Sequence, residues 1–80
     1  MERITQQRLE RTIALINEAQ GLGKRDVGAL VLRKELNGYY IMRLNNKGGG
    51  GSQLTGYTTP KECMAYLRQY VMSNCLHVNI

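Results

Sequence analysis

Eighty residues with a net charge of +5 leave room for one domain (1–80) and one small core. Phe and Trp are absent, five Tyr supply all the aromatic bulk, and two Cys with one His give neither a zinc-site spacing nor a disulfide framework. No stretch has the roughly 20 apolar residues of a membrane span, and Met1-Glu-Arg-Ile-Thr lacks a secretory signal's apolar run, so a reduced, cytoplasmic setting without membrane contact is expected.

Residues 5–20 read as a helix. Leu9, Ile13, Ile16 and Ala19 recur at helical spacing, with Leu15 and Leu22 widening the stripe. Thr5 is the expected N-cap, and Gly21 and Gly23 end the helix. Lys24 to Gly28 lead to a hairpin with strands at 29–36 and 39–45. Asn37-Gly38 between these apolar runs predicts a two-residue type I′ turn, which sets Leu36 opposite Tyr39, Lys34 opposite Ile41 and Leu32 opposite Arg43. One face then carries Leu30, Leu32, Leu36, Tyr39 and Ile41 with Lys34 and Arg43 among them. The other carries Val31, Tyr40, Met42 and Leu44, with Arg33 and Glu35 as a possible ion pair. The first face is expected to be the core.

Residues 46–52 read as a flexible glycine-rich loop, since Gly48 to Gly51 followed by Ser52 is also what a linker looks like. A third strand is expected at 53–57. Thr59, Pro60 and Glu62 form the signature of a capping box with proline at the first helical position, opening a helix over 60–73. Its buried stripe is Cys63, Leu67, Tyr70 and Val71, with Met64 beside it. The tail, 75–80, is expected to fray or to pair as an edge strand. The predicted fold is α+β: helix, antiparallel hairpin with a third strand, helix, and both helices on one sheet face. The other face is left to solvent or to a second subunit. A core without Phe or Trp points to a homodimer or a higher homo-oligomer.

The positive charge is concentrated. Residues 24–47 hold Lys24, Arg25, Arg33, Lys34, Arg43 and Lys47 against Asp26 and Glu35, a net of +4. An anionic partner explains this, and so does the use of Lys and Arg to keep an edge strand from aggregating. Catalysis has little support. The single His lies in the tail, the carboxylates show no paired arrangement, and no nucleophile–base or metal cluster is visible, so the chain reads as a non-enzyme without cofactor or metal. Cys63 opens a helix, where a thiolate is favoured, but it lies on the apolar stripe and reads as structural.

The candidate ligand-binding residues are Arg33, Lys34, Tyr40, Arg43, Lys47, Gly48 and Gly49. Arg43 among apolar neighbours needs an anionic group or a route to solvent. The glycine run is either a plain connector or a loop that wraps a phosphate with its N–H groups, although it lacks the Gly-Lys-Ser/Thr ending of a phosphate loop. Tyr39 and Tyr40 beside Arg33, Lys34 and Arg43 suit stacking on single-stranded nucleic acid, with Tyr39 also a core candidate.

Gly38-Tyr39-x-Ile41-x-Arg43-Leu44, then Asn46-x-Gly48-Gly49, then Thr59-x-x-Glu62 leading into Tyr66-Leu67, resembles a family of small bacteriophage and prophage proteins. The likeness covers residues 28–72. It departs at the turn, where such proteins have Gly-Gly and this chain has Asn37-Gly38, and in the tail after Asn74. The resemblance implies a phage accessory protein acting by stoichiometric binding in the host bacterial cytoplasm. The expected activity is inhibition of an antiphage defence system, by binding a defence protein or sequestering an anionic nucleotide signal. A small nucleic-acid-binding regulator and a phage structural or assembly protein are the alternatives.

Overall fold

The computed structural model describes residues 4–23, 25–46, 48 and 50–78. The order is α1 (Gln6–Ala19), β1 (Leu30–Glu35), β2 (Gly38–Leu44), β3 (Gly51–Gln53) and α2 (Pro60–Ser73). The three strands form one antiparallel sheet in the order β1-β2-β3, an α+β fold with α1 against β1 and α2 against β2.

Both helices begin where side-chain oxygens meet their first free N–H groups. Thr5 accepts from Arg8 N–H, and Thr59 accepts from Glu62 N–H while the Glu62 carboxylate accepts from Thr59 N–H, completing the capping box. Both also end alike. At α1, Gly21 N–H bonds the Glu18 carbonyl and Leu22 N–H the Asn17 carbonyl. At α2, Cys75 N–H bonds Met72 and Leu76 N–H bonds Val71. Each is a Schellman motif, with Gly21 (φ 73°) and Cys75 (φ 53°) at its left-handed position.

The core lies between the helices and one sheet face. Leu9, Ile13 and Ile16 of α1 meet Leu30 and Ile41 of the sheet and Cys63, Met64, Leu67, Tyr70 and Val71 of α2. Leu32 and Tyr39 pack partly against this cluster, so the expected core face is the buried one. Leu36, placed on that face, is fully exposed at the turn. In α1 the buried stripe is rotated from the expected one: Leu15 and Ala19 are exposed, while Thr12 and Asn17 are buried. Burial of these polar side chains is offset internally. Thr12 donates to the Arg8 carbonyl, and Asn17 bonds both backbone groups of Leu30.

The hairpin register differs from the expected one by two residues. Leu30 faces Arg43, Leu32 faces Ile41, Lys34 faces Tyr39 and Glu35 faces Gly38, so the corner residues are Leu36 and Asn37. Asn37 has no positive φ, which excludes a type I′ turn at Asn37-Gly38. Gly38, with φ 130°, stands instead at the fourth turn position, where type I turns favour glycine. A Cβ there would lie 3.0 Å from the Thr58 carbonyl oxygen, because Thr58 bridges to Tyr39 on the far side of β2. A shift of two residues preserves the alternation of side chains, so neither face changes its members.

The third strand starts earlier than 53–57, so that Gly51, the last glycine of the run, belongs to a strand and not to the connector. Gly51 pairs with Leu44, Ser52 with Arg43 and Gln53 with Met42. A Cβ on Gly51 would collide with the Met42 methyl and the Arg43 carbonyl oxygen, so glycine permits this close approach of β3 to β2. Asn46 organises what precedes it: its Oδ1 accepts from Gly48 N–H (2.9 Å) and Gly50 N–H (3.2 Å). After α2, Leu76 and Val78 pack against the core. Among the described tail residues there is no strand.

Candidate functional site

The sheet face away from the helices is the site the fold creates. Three cross-strand pairings define it: Arg33 with Tyr40, Val31 with Met42, and Met42 with Gln53. The Tyr39–Thr58 bridge sets Tyr57 beside Tyr40, and their rings meet edge to face at 5.4 Å and 82°. Tyr57 is half-exposed, Tyr40, Val31 and Met42 are partly exposed, and Arg33 is exposed. Arg33 has no side-chain hydrogen bond or ion pair among the described residues; the expected pairing with Glu35 does not form. Leu44 belongs to this face by alternation but is buried where β2 lies between Ala29 and Gly51.

The five candidate ligand residues that are described, Arg33, Lys34, Tyr40, Arg43 and Gly48, do not converge. Arg33 and Tyr40 share the uncovered face. Lys34 lies on the helix side of β1, its Nζ 5.8 Å from the Tyr39 ring centroid. Arg43 is also on the helix side, and its guanidinium is engaged. One Nη donates to the Tyr70 hydroxyl at 3.1 Å, and the group stands 5.8 Å from the Tyr70 ring centroid. The same hydroxyl bonds the Gln20 side-chain amide at 3.0 Å. Gln20 is the C-cap of α1 and Tyr70 lies in the last turn of α2, so the Tyr70 hydroxyl links Arg43 of the sheet to both helices. This explains an arginine on the core side as a polar clasp over the edge of the core.

The loop gives a similar result. Gly48 N–H, a candidate phosphate donor, is taken by Asn46, as is Gly50 N–H. Lys47 and Gly49 lie outside the described residues. Cys63 is fully buried with its sulfur 3.1 Å from the Thr58 hydroxyl, and Cys75 is exposed; both are free thiols. Among the described residues no group of three or more His, Cys, Asp or Glu is placed to hold a metal, and no helix is long and apolar enough to cross a membrane.

Sequence reasoning missed Tyr57. Its signal is the pairing of Tyr39 with Thr58 across β2, which depends on where the third strand lies. It also missed Asn46, whose position two and four residues before glycine N–H groups is the local pattern of an Asx turn. Comparison with known protein families, curated proteins and solved structures finds no match for this chain.

Proposed function

We propose that this chain acts by occupancy rather than by catalysis, and that an anionic partner docks on the uncovered sheet face. The observation that carries the reading is the grouping of Arg33, Tyr40 and Tyr57 on one exposed face, flanked by Val31 and Met42. An unpaired guanidinium beside aromatic edges and partly exposed apolar groups is the composition of a recognition surface. Following the resemblance to small phage proteins, the partner is a component of a bacterial antiphage defence system, met in the host cytoplasm. An acidic surface of a defence protein fits better than a short nucleotide signal. The face is open, Arg43 is engaged with Tyr70, and Gly48 N–H is taken by Asn46, which leaves few convergent donors for a small phosphate ligand.

Tyr40 and Tyr57 favour a second reading, a regulator that binds single-stranded nucleic acid by stacking bases beside Arg33. One experiment separates the readings. Calorimetric titration with cyclic di- and trinucleotides, single-stranded DNA and single-stranded RNA is run at 50 and 200 mM salt. Nucleic acid contacted at six or more phosphates loses roughly 10³–10⁵ in affinity between these conditions, while a short nucleotide loses little. For a protein partner, none of these ligands binds, and capture of a defence component by the wild-type chain is lost in Arg33→Glu and in Tyr40→Ala. Capture that is equal with all three chains removes the uncovered face from the reading.

A further inference from the structure

β1 is an edge strand, and its open side is not the uncovered face but the line of backbone groups along its margin. Leu44 N–H donates to the Ala29 carbonyl, so odd-numbered positions of β1 turn their backbone toward β2 and even-numbered ones turn it outward. Leu30 bears this out: its N–H donates to Asn17 Oδ1 at 2.8 Å, and its carbonyl accepts from Asn17 Nδ2 at 3.0 Å. The Asn17 amide thus does for Leu30 what a neighbouring strand would do. Leu32 and Lys34 turn outward as well and have no backbone partner on that side among the described residues. Alongside runs a groove of about 490 Å³ between α1 and β1. Gln7, Glu10, Arg11 and Ala14, on one exposed helix face, form its wall, and Leu30 and Leu32 line it from the sheet.

We propose that this edge is a strand-addition site for an extended acidic peptide segment of a partner protein, paired antiparallel to β1 from Lys34 to Val31. Main-chain hydrogen bonds to Leu32 and Lys34 hold the segment, and side chains at alternate positions set its sequence. Read from its N-terminus, the segment meets Lys34, Arg33, Leu32 and Val31 in turn. Two acidic residues followed by two apolar ones satisfy these partners, as in Glu-Glu-Leu-Val. The residue opposite Leu32 points to the helix side, into the groove beside Ala14. Asn17 ends the site, because it already holds both backbone groups of Leu30. Arg11 adds a third exposed cation, and the groove's carboxylate, Glu10, accepts from the Gln6 amide at 3.2 Å.

Charge makes a second copy the poorer occupant. Antiparallel pairing of two β1 strands centred at position 33 sets Arg33 against Arg33, and centring on Lys34 sets Lys34 against Lys34, although Arg33 then meets Glu35 on either side. Centring on Leu32 brings Lys34 onto Leu30, whose backbone Asn17 occupies. Like charges directly opposite destabilise a strand pair.

The test uses the isotopically labelled full chain and three peptides. One contains Glu-Glu-Leu-Val, one Lys-Lys-Leu-Val, and the third is the acidic peptide N-methylated at the two residues opposite Lys34 and Leu32. The acidic peptide is expected to slow amide exchange at Leu32 and Lys34 and to shift resonances of Gln7 to Ala14. The basic peptide binds roughly tenfold more weakly, and the methylated peptide does not bind. Arg33→Glu with Lys34→Glu reverses the preference. Unchanged exchange at Leu32 and Lys34 with saturating acidic peptide overturns the proposal, as does equal binding of the methylated form. Slow exchange in the free chain that rises with protein concentration also overturns it, because a second copy then holds the edge.

Discussion

At the scale of single residues, two arginines on the same hairpin have opposite roles. Arg43 donates to a buried tyrosine, whereas Arg33 has no side-chain partner among the described residues. Arg43→Ala is therefore expected to lower unfolding free energy by about 1–2 kcal/mol, the range of one charge-assisted hydrogen bond with its cation–ring contact. Arg33→Ala is expected to stay within about 0.5 kcal/mol of the parent while weakening partner binding. Urea denaturation of both variants checks this, and equal midpoints would remove the assignment of Arg43 to the clasp. Thr59→Ala deletes the acceptor for Glu62 N–H and half of the capping box, and should cost about 1 kcal/mol in the same assay.

At the scale of elements, the two helix ends are a matched comparison. Both close with the same pair of hydrogen bonds, but one places Gly21 and the other Cys75 in left-handed backbone. A residue with a Cβ is disfavoured there. Cys75→Gly should relieve that strain at the cost of a freer unfolded chain, for a net gain of about 0.5–1 kcal/mol. A fall in thermal midpoint would show that the Cys75 side chain makes a compensating contact. Gly51 is the converse case. Gly51→Ala should destabilise by about 1–3 kcal/mol, because its methyl meets Met42 and the Arg43 backbone. The loss should fall first on β3, read as faster amide exchange where Gly51 and Gln53 pair with Leu44 and Met42.

At the scale of the whole molecule, one sheet face is covered by two helices and the other by no helix or strand among the described residues. Val31, Tyr40 and Met42 on that face, in a chain without Phe or Trp, favour association of two copies through it. Light scattering should therefore give a dimer mass at high micromolar concentration, and a partner bound at Arg33 and Tyr40 should return the mass to one chain per complex. A monomer mass throughout would sink the dimer. The first use of the face, for a partner, would then be its one role.

Much of this molecule follows from local chemistry. Thr59, Pro60 and Glu62 mark the start of α2, and the spacing of Cys63, Leu67, Tyr70 and Val71 gives its buried side, because caps and helical periodicity act within a few residues. The choice of core face was also legible: a strand's alternation depends only on residue parity, and the two-residue shift in register left parity unchanged. The tertiary structure decided what depends on distant partners. The turn moved to Leu36-Asn37 where β2 is also held by Thr58, and the α1 stripe rotated to bring Asn17 to Leu30. The same holds for the site. That residues 24–47 are basic is a matter of composition, but which cations remain available is not. Tyr70 and Gln20, far along the chain in either direction, engage Arg43, while alternation across the sheet leaves Arg33 beside Tyr40 on the face the helices do not cover.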